Sequence, residues 1–311
     1  MPISIRESGT SSRSDSSSLE VTLASSLQQR SRTAIRKTAR LFRRNPTMAF
    51  GLLIVLGMII LSIAAPLITP RDPKDINTYR RLLSLSAEDW LGTDQLGRDV
   101  YSRTIYGTRV SLLVGFSVAA ATAAVGTIIG LVSGYFRRVD MVLMRVVDGV
   151  MSIPGLLLAI AFMAMFGASV KNVVIALTIT STPGVARLVR SQVLSLRDQE
   201  FVEAARAIGA RSDRILRRHV FPQTVAPLIV QGTYICATAI LVEAALSFLG
   251  AGSPPSIPSW GNMMAEGQMY LRTAIWIAVF PGILLTVTVM GINLAGDGLR
   301  DTLDPKLRRR V

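Results

Sequence analysis

The 311-residue chain is poor in charge, in cysteine and in histidine. Asp, Glu, Lys and Arg make up 17% of it, where soluble domains carry about 25%, so it lacks the ions that cover a water-facing surface. The single cysteine, Cys236, excludes an intrachain disulfide and a thiolate zinc cluster. The single histidine, His219, excludes any site built from two imidazoles. No Gly-Lys-Ser or Gly-Lys-Thr run occurs, so the chain has no phosphate-cradling loop of its own. If nucleotide powers this molecule, another polypeptide binds it. No metal, cofactor or catalytic residue is expected here.

What is abundant is apolar sequence and positive charge. Half of the residues are hydrophobic, and 34 Lys and Arg stand against 20 Asp and Glu, a net of +14. Such a balance suits a nucleic-acid partner in a soluble domain, but these charges lie between long uncharged runs without interleaved aromatics. The pattern predicts an all-α, polytopic membrane helical bundle and no nucleic-acid partner.

Residues 1–29 hold ten serines and read as a disordered tail, and 30–44 carry seven basic residues and no acid. An uncharged run follows from Asn45 to Pro70, too long and too late in the chain for a signal peptide, with a first transmembrane helix near 49–68. About 20 helical residues span the hydrocarbon. Five more runs qualify, at 110–136, 149–170, 172–186, 220–242 and 273–296, for about six helices. The run at 172–186 is short and must continue past Arg187 and Arg190, whose stems reach back to the interface. With the N-terminus inside, cytoplasmic flanks carry 23 Lys and Arg and outer segments nine, which places both termini in the cytoplasm. The organisation is a tail at 1–44, a first helix with an outer loop at 45–109, and a core at 110–311.

Small residues and prolines punctuate the helices. Gly126, Gly130 and Gly134 share one face of the second, for close packing or for a seam with a partner subunit. Pro154, Pro183 with Gly184, and Pro281 with Gly282 mark expected bends in the third, fourth and sixth. Glu243 is expected near the outer end of the fifth helix and Asn293 in the sixth, both as candidate pathway residues. Asp148 is expected to pair with Arg145 one turn earlier. Asp94 with Arg98, and Asp99 with Arg103, predict an ordered outer surface helix. Residues 256–271, with Trp260, Met263 and Met264, read as an interfacial re-entry.

The segment 187–222 is the most informative. From Asp198 to Pro222 it reads as two short helices with a turn. Phe201, Ala204, Ala205 and Ile208 form an apolar stripe at i, i+3, i+4 and i+7. Gly209 is suited to closing the first helix, Ser212 to capping the second, and Pro222 to ending it, with Ile215, Leu216 and Val220 as the second helix's apolar side. A mostly alanine stripe suits a groove on another protein better than a lipid surface, where bulky residues prevail.

Glu203-Ala204-Ala205, Gly209 and Pro222 together resemble the EAA loop of ABC importer permeases; Phe221 stands where leucine is common. The stretch 91–112, beginning Leu-Gly-Thr-Asp-Gln-Leu-Gly-Arg-Asp, is similar to the signature before the second helix of dipeptide and oligopeptide permeases. Gly296-Asp-Gly-Leu-Arg-Asp-Thr-Leu-Asp-Pro-Lys306 is similar to the end of their C-type subunit. The resemblance implies an ATP-driven importer in the bacterial plasma membrane. In it, this chain pairs with a second homologous permease, sits on two ATPase subunits that hold ATP and Mg, and receives peptide from an extracytoplasmic binding protein. Related permeases carry nickel chelates or glutathione. An ion-coupled transporter would need paired mid-membrane ionisable groups, and an intramembrane Ser–His protease a histidine outside the loop; the chain offers little of either.

Overall fold

The structure is a computed structural model that describes residues 45–303. The sequence features at 1–44 and 304–311 lie outside the described residues. Nine helices follow in chain order among them: α1 (Pro46–Ile68), α2 (Val100–Tyr135), α3 (Arg137–Met151), α4 (Gly155–Phe166), α5 (Val170–Leu196), α6 (Glu200–Ala207), α7 (Ser212–Phe248), α8 (Trp260–Gln268) and α9 (Trp276–Leu303). α1, α2, α5, α7 and α9 are each long and apolar enough to cross a bilayer, and the bent α3–α4 pair makes a sixth crossing possible.

α2 begins ten residues before the apolar run suggests, so a division at 109/110 falls inside one helix. Asp99 is the reason: its carboxylate accepts hydrogen bonds from the backbone N–H of Ser102 at 2.8 Å and from its hydroxyl at 2.6 Å, a side-chain N-cap. The expected separate surface helix around 94–103 is accordingly a turn closed by a Thr93–Asp99 bridge, with Asp99 spent on the cap rather than on Arg103. α5 does continue past Arg187 and Arg190, to Leu196.

A Cβ added to Gly126, Gly130 or Gly134 would lie 2.6 Å from Val185, Val189 or Val193 respectively. The glycine face is therefore a seam within this chain, and small residues let the two backbones approach as bilayer proteins require. Both residue series ascend together, so α2 and α5 run parallel. The chain must then cross back between them, and α3–α4 makes that sixth crossing. The run at 149–170 is not one helix, because α3 and α4 meet at 85° around Pro154. α3 is amphipathic and is moored to the side of α5: Arg190 makes two hydrogen bonds to Asp140, and Arg187 binds Asp148 at 2.6 Å. Asp148 thus pairs across helices and not with Arg145. Pro183 and Pro281 are buried inside unbroken α5 and α9.

α1 runs antiparallel to α9, with Met48 against Gly298 and Gly51 against Ala295. The two described ends consequently lie on the same face of the bundle as the turn between α5 and α7. The opposite face is covered by residues 70–99 and by α8, a short helix within the 256–271 segment.

Candidate functional site

Between α5 and α7 the chain forms an elbow built on α6. Glu200 and Glu203 sit in its first turn, where carboxylates complement the helix dipole. Gly209 closes it with φ +79°, while its N–H donates to the Arg206 carbonyl and the Ala210 N–H to the Ala205 carbonyl. That left-handed closure is open to glycine at little cost and strains other residues. α7 then starts at Ser212, but Arg211 is the capping position and the Ser212 side chain caps nothing. Nor does Pro222 end a helix: a π-type turn at Leu216–Val220 leads straight into the span, and Pro222 lies near the start of its regular α-helical part, where a missing N–H is tolerated.

The predicted stripe divides into two faces. Ala205, with Val202, Ile215 and Val220, is buried against Val193 and the lower ends of α2 and α5. Phe201, Glu203, Ala204 and Ile208 point outward, with Ile208 86% and Phe201 41% exposed. The elbow is therefore a rigid buttress that carries an apolar ridge to the surface. Arg206 reinforces it by lying over the Tyr135 ring, 5.4 Å from its centroid, and Arg197 donates to the Gly134 carbonyl. Arg211, Arg214, Arg217 and Arg218 surround the ridge with exposed positive charge.

The opposite face has the contrary character. Arg80 and Arg71 both bind the Asp89 carboxylate. Burial raises the pKa of that carboxyl, but the hydrogen bonds from Arg80 and Arg71 outweigh it and hold the group below the usual carboxylate range. Asp94, Arg98, Arg103 and Glu266 form a buried network that ties the 94–103 turn to α8, with Arg98 donating to Asp94 and to Glu266 at 2.6 Å each. The indole of Trp260 donates to the Thr104 carbonyl at 3.0 Å, and that of Trp276 to the Thr93 carbonyl at 3.2 Å.

Glu243 is wholly enclosed rather than facing a pathway. Ser247 and Ser253 donate to its Oε1 at 2.8 and 3.2 Å, and Ser259 extends the chain of hydroxyls. Asn293 does line open space: a cleft of about 280 Å³ between α7 and α9, shared with Gln231, Tyr234, Asp297 and Arg300. Sequence reasoning named only Asn293 of these, although 293, 297 and 300 stand at i, i+4 and i+7.

The described residues contain no cluster of three His, Cys, Asp or Glu that could hold a metal. Two family models match the chain. One is described as the binding-protein-dependent transport system inner membrane component and covers residues 126–309; the other is the N-terminal TM domain of oligopeptide transport permease C, over residues 33–84. A probable peptide ABC transporter permease protein of Sinorhizobium fredii is 48% identical, over 87% of this chain and 93% of its own length. A dipeptide transport system permease protein of Alkalihalophilus pseudofirmus is 42% identical, over 88% of this chain and 90% of its own. In fold, the chain is similar to a chain of the MetNI methionine ABC transporter in an inward-facing conformation, with a TM-score of 0.55 at 19% identity over 65% of this chain and 96% of that one.

Proposed function

We infer the function from one premise: this chain belongs to the family of binding-protein-dependent transport system inner membrane components. It is a multi-pass inner-membrane permease subunit of an ABC importer, and its cargo is peptide. The elbow face lies in the cytoplasm, as the excess of Lys and Arg on that side supports. There, Phe201, Glu203, Ala204, Ile208 and Gly209 seat the subunit in a groove on an ATPase, while Ala205, Ile215 and Val220 hold the ridge in place from behind. ATP and Mg belong to two such ATPases. A second, homologous permease completes the pathway, and a binding protein delivers peptide to the opposite face.

The observation that carries this reading is the exposed ridge on a buried buttress. Phe201 and Ile208, held outward together by the buried Val202 and Ala205, form an apolar surface that suits a partner's groove. When nucleotide draws the ATPases together, a seated rigid elbow moves with them, and α5 and α7 move with the elbow. This is a two-state device biased by a ligand bound on another chain.

The test is a cysteine at Ile208 in a Cys236→Ala background. A thiol-anchored photocross-linker placed there should join it to an ATPase subunit, identified by mass spectrometry, and the yield should change when ATP is bound. Cross-linking to no copurifying ATPase, with and without nucleotide, would remove the coupling role. Uptake that survives ATP depletion and collapses with the proton gradient would remove the ATP-driven reading itself.

A further inference from the structure

The cleft between α7 and α9 has chemistry that neither the elbow nor the opposite face uses. Asn293, Asp297 and Arg300 stand on one face of α9 and are exposed on the flank of a membrane-crossing helix. They lie within the last three turns of α9, at its elbow-face end, and open into a cleft. Gln231 and Tyr234 face them from α7, with Tyr234 62% exposed. Among the described residues, none of these five side chains makes a hydrogen bond or an ion pair. Asp297 and Arg300 are three residues apart on one helix face, yet they are not paired with each other.

Elsewhere the spans carry both satisfied and orphaned polar groups, the buried hydroxyls of Ser111, Thr122, Thr127 and Thr178 and one oxygen of Glu243 having no partner. Asp140 is taken by Arg190, Glu243 by two serines, and the Thr233 hydroxyl at the cleft's edge by the Val230 carbonyl. What sets the cleft apart is that its unpaired groups line open space instead of being sealed inside the bundle. Gln231 and Asn293 each present a donor and an acceptor, the complement of a peptide unit's C=O and N–H. Asp297 and Arg300 present one negative and one positive group, the complement of a free amino end and a free carboxylate. The volume, about 280 Å³, falls just below the ~300 to 1,000 Å³ of drug-sized sites and suits a short peptide end.

We propose that this cleft is a transit site for the charged ends and backbone of a free peptide leaving towards the elbow face, with Asp297 receiving the ammonium and Arg300 the carboxylate. The proposal rests on the peptide-importer reading above and adds the recognition chemistry within this chain.

The experiment uses the whole importer in proteoliposomes, with its ATPases and binding protein, and one short peptide in free, N-acetylated and C-amidated forms. Uptake is normalised to each variant's own ATP hydrolysis. Asp297→Asn should lower the ratio of free to N-acetylated uptake, and Arg300→Gln the ratio of free to C-amidated uptake, each about threefold to fivefold for one partly solvated charge contact. Ratios unchanged from wild type overturn the proposal, and so does an equal loss for all three forms.

If either variant does not assemble, Tyr234→Cys in the Cys236→Ala background decides. Its thiol should react with maleimide, and millimolar dipeptide should slow that reaction. A thiol blocked with and without peptide means that a partner chain fills the cleft. Protection that depends on phosphatidylethanolamine in the bilayer and not on peptide means a lipid headgroup. Either result overturns the proposal. A wild-type importer that takes up none of the three forms would instead remove the peptide reading itself, while the labelling experiment would still judge the cleft.

Discussion

The two ends of the bundle are fastened by different physics. On the face formed by residues 70–99 and α8, charged hydrogen bonds do the fastening, with Asp89 between two arginines and Asp94, Arg98, Arg103 and Glu266 in a closed network. On the elbow face, α6 is held by Val202 and Ala205 sliding into an apolar pocket, and its own carboxylates Glu200 and Glu203 pair with nothing among the described residues. Buried ion pairs are intolerant of small displacements, because each lost partner leaves a desolvated charge. Apolar contacts tolerate small shifts better. The difference teaches that the first face is a fixed frame and the elbow is the part free to be pushed.

Breaking the frame should have the largest effect. Arg98→Met removes the 2.6 Å partner of both Asp94 and Glu266 in a buried site and should cost about 3–5 kcal/mol, read as a sharp fall in the temperature at which the purified chain loses helical signal. Asp89→Asn should cost about 1.5–3 kcal/mol at neutral pH, since two charged hydrogen bonds are weakened. Its pH dependence has a fixed sign. Because the folded carboxyl titrates below its ordinary value, the stabilisation is full above the unfolded value near ~3.9 and is lost as pH falls through the folded one. The gap between wild type and Asp89→Asn should therefore close only in acid, and a gap that closed on raising the pH would contradict the ion-pair account.

At the elbow, Gly209→Val forces a β-branched residue to φ +79° and should cost about 1–2 kcal/mol while abolishing peptide uptake. The smallest change in stability, within about 0.5 kcal/mol, is expected for Ile208→Glu, whose side chain touches water in the isolated chain. That variant sharpens the comparison: unfolding unchanged, copurification of the ATPases lost. A large fall in unfolding temperature would mean that Ile208 packs within its own chain.

The long helices were legible because apolar length alone specifies them, and α5's passage beyond Arg187 followed from the length a crossing requires. The break at Pro154 was not. The run at 149–170 is uniformly apolar, while the evidence for α3 lies upstream, in the helical spacing of Val139, Val142 and Val146 between charged residues. The ion pairs were hidden by distance along the chain, as with Arg98 and Glu266, 168 positions apart, so the nearer but unpaired Arg145 was credited with Asp148. The elbow stripe was half legible. Periodicity finds a face but cannot say whether the chain itself or a partner covers it, and Ala205 belongs to the chain while Ala204 does not. In the cleft, Asn293 was visible as a lone polar residue in an apolar run, whereas Asp297 and Arg300 resembled ordinary end-of-helix charges.

The glycine–valine seam has a mechanical consequence. α2, at 36 residues, is ~54 Å long against ~30 Å of hydrocarbon, and three successive turns of it are keyed into α5. Two rods locked at several heights resist shearing past one another, so they behave as a single beam with α6 packed at one tip and the Asp99 cap at the other. A displacement applied at the near tip is accordingly expected to reach the far one as a tilt of the pair.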